Sequence, residues 1–381
     1  MDVDVVVVGG GHNGLVAAWY LAQAGLGVHV FERRPFIGGA AITEELWPGF
    51  HFSTCAHMVH AIHPQIIKDL RLRERGFEVI PRAGAILINP DGTYYGPADH
   101  DAPRNLAFSG RLNDAEREGL RRLNAFKRTL AELVAPYNLQ PPPTLAAIRA
   151  RAAGTPAAGA LEQALTMTVS QVHDAFLPTD RLKERYAAEK AAVGRDPLAL
   201  SYAYAAINEP DQESGERPPH GYVRGGTGAF SRLLGQEVEE AGVKIHVDHE
   251  VERFLVEGRR VIGVRLAGGS EVRSRIVLSN LDPKRTFLHL FEPRHLDEAF
   301  RQRVAGLVTE VSCVKLLAAI SEPPQWKDWD GDPVQPSKGS VGLQRSRAHV
   351  AAMYGRGDLE GVFLHLAGDR EISAAQQTDH P

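Results

Sequence analysis

The chain has 381 residues, of which 43% are hydrophobic and 24% charged, and its formal net charge is −4 at pH 7. This composition is typical of a globular protein with room for two domains or one large elaborated domain, and without a basic excess we expect no nucleic-acid partner. The 2 cysteines are too few for a disulfide framework and suit a reducing, cytoplasmic compartment. We expect neither a signal peptide nor a membrane anchor, because the chain opens on a strand and no apolar run reaches membrane-spanning length.

The first predicted element is the β-branched run at residues 5–8, which is typical of a strand buried on both faces. Gly9, Gly11 and Gly14 follow in GxGxxG spacing, and residues 15–24 are rich in helix formers. In a nucleotide-binding β–α–β unit, the first glycine allows a tight turn and the second lets the backbone approach a pyrophosphate. The third lets the helix pack closely on the strand. The free N–H groups of the helix N-terminus then face the phosphates.

Residues 28–31 form the next predicted strand, and Glu32 ends it. A carboxylate at this place accepts hydrogen bonds from a ribose diol and disfavours a 2′-phosphate. The pattern therefore predicts a site for NAD or FAD rather than NADP. The alternative, a glycine-rich turn that binds no ligand, does not explain Glu32.

A basic pair and a second glycine pair come directly after this carboxylate, in "ERRPFIGGAA". Arg33 and Arg34 precede Gly38 and Gly39. Two cations and a bare backbone next to the ribose suit a cofactor with a long, doubly charged linker.

Histidines concentrate in "HFSTCAHMVHAIHP", residues 51–64, which also contain Cys55. One interpretation is a metal site or an active-site loop, and the other is a loop that lines a cofactor cleft. His57, His60 and His63 are three residues apart, so on a helix they would drift around its axis. No carboxylate partner is obvious, and we expect no metal here.

The chain beyond these motifs predicts an interleaved architecture. A nucleotide domain begun by residues 1–75 is completed by residues 216–290, which return to glycine loops, an amphipathic helix and short strands. Residues 76–215 form the first part of a substrate domain. Residues 291–381 continue that domain, with a possible truncation at its end.

Two polar positions outside the first motif are candidates for a site. Asn280 and Asp282 follow the last predicted strand of the nucleotide domain, where an α/β sheet meets its ligand, although Asp282 suits a capping turn equally well. Lys315 is the one lysine of "SCVKLLAAI", an apolar predicted strand. Such a lysine needs a partner or a purpose, unless it lies at the strand end and extends to solvent.

"ERRPFIGGAAITEE", "YVRGGTGAFSRLL" and "IVLSNLDPKRTFL", together with the opening fingerprint, resemble the FAD-dependent phytoene desaturase-like oxidoreductases. Within this superfamily the chain looks most like the branch named pyridine nucleotide-disulfide oxidoreductase domain-containing protein 2. It is similar more distantly to carotenoid isomerases and flavin amine oxidases. The resemblance covers most of residues 1–325. It implies an α/β fold, in which a Rossmann-like FAD-binding domain of the GR2 type is interleaved with an α+β substrate domain.

The resemblance also implies FAD as the cofactor and gives roles to individual residues. The glycine motif would hold the pyrophosphate, Glu32 the adenosine ribose, and the backbone of Val251 the adenine. Lys315 matches the lysine that flavin amine oxidases place near the flavin N5 through a water, and is the candidate catalytic residue. The candidate cofactor-binding residues are Gly9, Gly11, His12, Asn13, Gly14, Glu32, Arg33, Arg34, Gly38, Gly39, Ala40, Val251 and Asn280.

The chain departs from the family pattern in two ways. Ala40 stands where amine oxidases usually carry an arginine, which favours the desaturase or isomerase side of the superfamily. The glycine-rich strand–helix segment that closes over the ribityl chain and isoalloxazine is not recognisable, since residues 362–369 resemble its opening strand only faintly. We expect weaker flavin retention if that segment is missing.

These motifs predict an oxidoreductase in which FAD accepts a hydride from a small apolar, polyene-like or lipidic substrate. The alternatives are a redox-neutral flavin isomerase, a catalytically impaired binding protein and an NAD-dependent dehydrogenase. An apolar mouth on the substrate domain could contact a membrane peripherally. Neither a particular substrate nor an oligomeric state follows from these motifs.

Overall fold

The computed structural model of the protein describes residues 2–82, 85–89, 92–96, 104–106, 111–185, 198–210, 214–307, 309, 315–318 and 340–343. By the contacts between its residues, the chain divides into two units. The first comprises the described residues of Met1–Arg82, Ile207–Thr309 and Lys315–Glu322, and the second those of Ala83–Ala206 and Pro323–Pro381. The domain boundaries expected from the sequence stay a prediction.

The strands are, in chain order, β1 (Asp2–Val8), β2 (Val28–Phe31), β3 (Glu44–Trp47), β4 (Phe50–Phe52), β5 (Val79–Pro81), β6 (Ala85–Ile88), β7 (Tyr94–Tyr95), β8 (Gly221–Val223), β9 (Lys244–His246), β10 (Val251–Glu257), β11 (Arg260–Leu266), β12 (Glu271–Ser279) and β13 (Ser340–Leu343). The α-helices are α1 (His12–Gln23), α2 (Pro64–Asp69), α3 (Asp114–Val134), α4 (Leu145–Ala152), α5 (Ala157–Thr166), α6 (Val169–Phe176), α7 (Asp180–Arg185), α8 (Thr227–Glu240) and α9 (Glu298–Ala305). A π-helical turn covers Arg285–His289, and 3₁₀ segments cover Ala135–Tyr137, Ala199–Asn208 and Pro293–His295. Among the described helices, none combines the length and the apolar character that crossing a membrane requires.

A six-stranded sheet in the order β10-β11-β12-β1-β2-β9 is the centre of the first unit. β1 is parallel to both β12 and β2, and β2 is parallel to β9, whereas β10, β11 and β12 form an antiparallel meander. Because parallel strands end at the same edge of a sheet, Gly9, Glu32 and Asn280 meet at the carboxyl edge. The α/β fold predicted from the sequence is confirmed.

The side chains of β1 alternate between two cores. Val5 and Val7 pack with the side that carries α1 and α8, while Val6 and Val8 pack with residues of the β10–β11–β12 meander. None of the four is more than 3% exposed. Burial on both faces explains the unbroken β-branched run, and each buried valine contributes about 1.5–3 kcal/mol.

The second unit combines helices α3–α7 with a sheet in the order β13-β6-β7. A buried charge links two of its helices, because Arg181 and Thr179 donate to the carboxylate of Glu116, which is 1% exposed. The hydrogen bonds from Arg181 lower the pKa of Glu116 to about 2, and Thr179 and the N–H of Asn113 act in the same direction. The carboxylate can be buried because its charge is compensated and its lone pairs are used.

Two histidines lie side by side near the edge of the large sheet. His246 Nε2 is 3.1 Å from His29 Nδ1, so one imidazole N–H can donate to the other ring, and Phe31 stacks on His246 at 4.7 Å. Burial lowers the pKa of both imidazoles below the usual 6.5. His246 and Lys244 lower that of His29 further, while His249 and Lys244 do so for His246.

We predict that His246→Gln weakens the acid sensitivity of folding. A histidine whose pKa is lowered in the folded state binds its proton more readily in the unfolded chain, so the free energy of unfolding falls as the pH drops below 6.5. Each such group contributes at most about 1.4 kcal/mol per pH unit. Urea unfolding at pH 8, 7, 6 and 5 measures this slope, which should be shallower in the variant.

His51→Gln is the matched control, since His51 is an exposed histidine on β4. Its slope should equal that of the unchanged protein. An identical slope in His246→Gln would contradict the assignment of acid sensitivity to the stacked pair.

Candidate cofactor site

A cavity of about 550 Å³ opens at the carboxyl edge of the parallel strands, within the first unit. Its walls come from the ends of β1 and β2, the start of β10 and the π-helical turn. Of the candidate residues, Gly9, Glu32, Arg33 and Val251 line it. A ligand at this edge is the general expectation for a doubly wound sheet.

The carboxylate of Glu32 joins the loop after β1 to the turn after β2. Its Oε2 accepts the backbone N–H of Gly10 at 2.8 Å, and its Oε1 accepts the backbone N–H of Arg34 at 3.0 Å. Glu32 is 7% exposed, and each oxygen keeps a second lone pair. The carboxylate therefore fixes the loop and can still accept hydroxyl groups, as the sequence interpretation of a ribose contact requires.

The first glycine motif is packed too closely for larger residues. A Cβ on Gly14 would lie 2.5 Å from Gly9 O, and a Cβ on Gly11 would lie 2.8 Å from Asn280 Nδ2. Asn280 is held by its own N–H, which donates to Val8 O at 2.9 Å. The structure thus packs the side chain of Asn280 against the glycine loop.

The second glycine pair packs on the first motif. Gly38 and Gly39 have φ of 118° and 63°, and Gly38 N–H donates to Gly10 O at 2.8 Å. A Cβ on Gly39 would lie 2.9 Å from the Cα of Gly11. Arg34 closes this turn by donating from Nη2 to Gly39 O at 2.6 Å. Only glycine allows both the backbone conformation and the close approach.

The N-termini of α1 and α8 differ in a way that indicates an anion site at α1. At α8, Ser53 Oγ accepts the first N–H at 3.1 Å and Thr43 Oγ1 accepts the second at 2.9 Å. At α1, the N-cap is Gly11, and among the described residues no side chain accepts an N–H of the first turn. The unused N–H groups of α1 and its partial positive charge suit a phosphate.

His12, the first residue of α1, contains another unsatisfied polar atom. Its Nδ1 is buried and has no hydrogen-bond partner among the described residues. Burial lowers the pKa of His12 and outweighs the opposite effect of a hydrogen bond with the backbone of Gly38, so the neutral ring is favoured. An uncapped helix, an orphaned imidazole nitrogen and the Glu32 cavity together fit the adenosine diphosphate part of a dinucleotide.

The remaining candidates of the first motif region are at its surface. Arg33 is exposed on the cavity wall, and Arg34 lies over the ring of Phe36, with its Cζ 4.9 Å from the ring centroid. Asn13 and Ala40 are also exposed. Side chains at these positions are accessible to a bound cofactor without any rearrangement of the core.

The far wall of the cavity includes residues that the sequence interpretation did not single out. Val251, which is 7% exposed, pairs with Leu266 at a β-bulge and lines the cavity, and its contact with adenine stays a prediction. Arg285 and His289 of the π-helical turn complete the wall. Their place in the sequence indicates this position, because both follow Asn280 shortly after β12 and so come to the same edge of the sheet.

The setting expected for Lys315 is wrong. Residues 315–318 form no strand, Lys315 is exposed, and Leu316 is 87% exposed, so this lysine is not enclosed in an apolar strand. Its ammonium donates to Ser53 O and to Cys55 O, the latter at 2.9 Å. Two backbone carbonyls therefore accept hydrogen bonds from this lysine at the surface, so it has partners without being enclosed in an apolar strand. The role of Lys315 near a flavin stays a prediction.

The histidine-rich loop separates into different environments. His63 Nδ1 accepts the N–H of Gln65 at 3.2 Å and so caps α2. His57 and His60 are exposed. In the part of the chain that the structure describes, no group of histidine, cysteine or acidic side chains could hold a metal ion.

Comparison with known proteins adds to this geometry. The profile of the family described as flavin containing amine oxidoreductase matches residues 14–366. The chain belongs to this family. The resemblance to FAD-dependent oxidoreductases is therefore confirmed, and FAD is the cofactor.

Curated relatives and solved structures agree with this assignment. Pyridine nucleotide-disulfide oxidoreductase domain-containing protein 2 of Rattus norvegicus is 32% identical over 86% of this chain and 61% of its own length. One of the limonene dehydrogenase subunits of Castellaniella defragrans is 28% identical over 74% of this chain and 52% of its own length. The chain thus spans between half and two thirds of the length of these relatives. A putrescine oxidase shares the fold, with a TM-score of 0.56, 18% identity and coverage of 80% of this chain and 63% of the oxidase.

We predict that Gly14→Ala abolishes FAD retention. The added Cβ would meet Gly9 O at 2.5 Å and Asn280 Nδ2 at 3.0 Å, so the loop that faces the phosphates must move. The free energy of unfolding should also fall by about 1–3 kcal/mol. Flavin absorbance after desalting, per mole of folded protein, measures retention.

Gly159→Ala, on α5, is the matched control, because a Cβ there meets no atom within 4 Å. It should keep its flavin. If Gly14→Ala kept its flavin too, the pyrophosphate would not lie at the first glycine loop.

We predict that Glu32→Gln weakens FAD binding about tenfold or more. The amide would replace one acceptor oxygen with an NH₂ group, which would face the N–H of Gly10 or of Arg34. Titration of the apoprotein with FAD, followed by flavin fluorescence, gives the dissociation constant. Glu250→Gln, also on the cavity wall, should change it less. Equal effects of the two variants would argue against a specific ribose contact of Glu32.

Proposed function

We propose that the protein is an FAD-dependent dehydrogenase that removes a hydride from an apolar substrate, as in phytoene desaturase-like enzymes. The observation that carries the proposal is the cradle at the carboxyl edge, with the uncapped N-terminus of α1 and the Glu32 carboxylate on one cavity. When bound, FAD supplies the hydride acceptor.

The residues of the chain would hold and orient this cofactor. The N–H groups at the start of α1 would bind the pyrophosphate, and the oxygens of Glu32 would accept the ribose hydroxyls. Arg33 and Arg34 would add positive charge beside the phosphates. Lys315 holds the backbone at Ser53 and Cys55. In the proposed enzyme it would lie near the flavin, as the resemblance implies.

The choice of an apolar substrate over an amine has two supports. Ala40 is exposed at the position where amine oxidases usually carry an arginine. The relative from Castellaniella defragrans, named for the dehydrogenation of the hydrocarbon limonene, aligns with 74% of this chain. The substrate class remains the finer part of the proposal. The broader assignment, a flavin oxidoreductase of the amine oxidase family, does not depend on it.

A redox-neutral isomerase is the second candidate. Its support is the same: a flavin site of a family that includes double-bond chemistry, at a position where Ala40 replaces the usual arginine. The two candidates differ in electron flow, because a dehydrogenase leaves the flavin reduced after each turnover and an isomerase does not.

We predict that the purified protein, reconstituted with FAD, loses its flavin absorbance under anaerobic conditions when a cyclic or polyene hydrocarbon is added. Limonene and phytoene are the hydrocarbon probes, and putrescine is the amine control. Bleaching by a hydrocarbon alone would support the dehydrogenase. Bleaching by putrescine alone would contradict the substrate class. Migration of a double bond with chemically reduced FAD, together with no bleaching of oxidised FAD by either hydrocarbon, would favour the isomerase. A folded protein that binds no FAD would overturn both candidates.

A further inference from the structure

A group of basic side chains lies beside the loop that Lys315 holds. We define the basic cluster as His57, His60, His220, Lys315 and Arg82. All belong to the first unit, and the three histidines and Lys315 are exposed. The cofactor cavity uses none of them.

Backbone pairing assembles this cluster from distant parts of the sequence. Val59 and Gly221 form a β-bridge, with N–H to O distances of 2.9 and 3.0 Å, so the neighbouring His60 and His220 come together. Their ring centroids are 6.2 Å apart. The N–H of Arg82 donates to His220 O at 3.4 Å, because β5 pairs with β8.

Lys315 brings a second charge to the same loop. Its ammonium donates to Ser53 O and Cys55 O, and His57 follows Cys55 by two residues. Within the described residues, no carboxylate forms a hydrogen bond or an ion pair with His57, His60, His220 or Lys315. The loop therefore presents one ammonium and several imidazole rings that can donate hydrogen bonds.

The titration of the histidines reflects this crowding. Partial burial lowers the pKa of His57, and the charges of Lys315, Arg82 and His60 lower it further. Partial burial, Arg82 and His60 act in the same way on the pKa of His220. Burial, and then the nearby cations, lower the pKa of His57 and His220, and no described carboxylate contacts these two rings, His60 or Lys315.

We propose that the basic cluster binds the carboxylate of an apolar acid, and so that the proposed enzyme takes an apolar acid in preference to a neutral hydrocarbon. The inference rests on the proposed function and adds the substrate class. Three imidazoles and an ammonium can surround one carboxylate with charge-assisted hydrogen bonds.

The surroundings of the cluster favour an acid with an apolar body over a small inorganic anion. Leu316, next to Lys315, exposes 87% of its side chain. Met58, between the two loop histidines, lies against Arg82, with its Sδ 4.0 Å from Arg82 Nη1. An alkyl chain attached to the carboxylate can bury these apolar groups, whereas a bare anion cannot.

Binding of a carboxylate should also change the protonation of the cluster. An anion within hydrogen-bonding distance reverses the unfavourable potential and stabilises imidazolium at His57 and His220. The site therefore takes up protons as it binds, and Lys315, Arg82 and the His60 ring are the neighbouring groups that oppose this uptake in the free protein. The affinity should rise as the pH falls from 8 to 6.

Isothermal titration calorimetry of the FAD-loaded full chain with octanoate, 1-octanol and acetate tests the proposal. We expect octanoate to bind at least about tenfold more tightly than either control, with net proton uptake when phosphate and Tris buffers are compared at pH 7.5. His57→Gln/His60→Gln/His220→Gln should weaken octanoate binding about tenfold or more. His51→Gln, an exposed histidine of the neighbouring hairpin, should leave it unchanged.

The possible outcomes separate this inference from the proposed function. Equal binding of octanoate and 1-octanol, or of octanoate and acetate, would overturn the apolar acid. So would unchanged binding in the triple variant, whose folding is checked by its melting temperature and its flavin spectrum. The single variant His60→Gln replaces the triple variant if the latter does not fold, and should weaken binding measurably. Flavin bleaching by a neutral hydrocarbon without octanoate binding would support the dehydrogenase and refute the head group.

Discussion

The cofactor cradle depends on one buried carboxylate. Glu32 stands at the end of β2 and accepts the backbone N–H groups of Gly10 and Arg34, so it ties the glycine loop after β1 to the turn after β2. That turn can then fold back, with Gly38 bonded to Gly10 and Arg34 bonded to Gly39. A buried anion with two donors is stable only while both loops keep their shape, and both loops keep their shape because the anion is there.

The sequence predicts this part of the molecule well because its constraints are local. Gly9, Gly11 and Gly14 are spaced by the geometry of a strand-to-helix turn, and the burial of residues 5–8 on both faces requires the β-branched run. The place of the second glycine pair, shortly after Glu32 and the two arginines, predicts that it lies in the cofactor's surroundings, as the family resemblance also implies. The structure adds its packing reason, since Gly39 has no room for a Cβ against Gly11.

Features that depend on distant pairing could not be predicted from the sequence. Nothing in the sequence signals that β5 pairs with β8, or that Thr43 and Ser53 cap α8, because these partners are separated by more than a hundred residues. The error at Lys315 has the same origin. Apolar neighbours in the chain predicted a buried strand, but the lysine finds its acceptors in a loop far away along the sequence.

The same distant pairings create two separate positive regions in the first unit, one at the N-terminus of α1 and one at the basic cluster. At α1, backbone N–H groups without side-chain acceptors can receive the phosphates of FAD, so the cofactor needs little additional positive charge. At α8, hydroxyl groups already satisfy the helix N-terminus, and the segment that supplies Ser53 continues into His57 and His60. The cations of this second place are therefore not required by the cofactor's phosphates. Burial and a positive potential keep the imidazoles of His57 and His220 in this second place unprotonated. In the proposed enzyme, the carboxylate of the substrate is the second anion that offsets this potential.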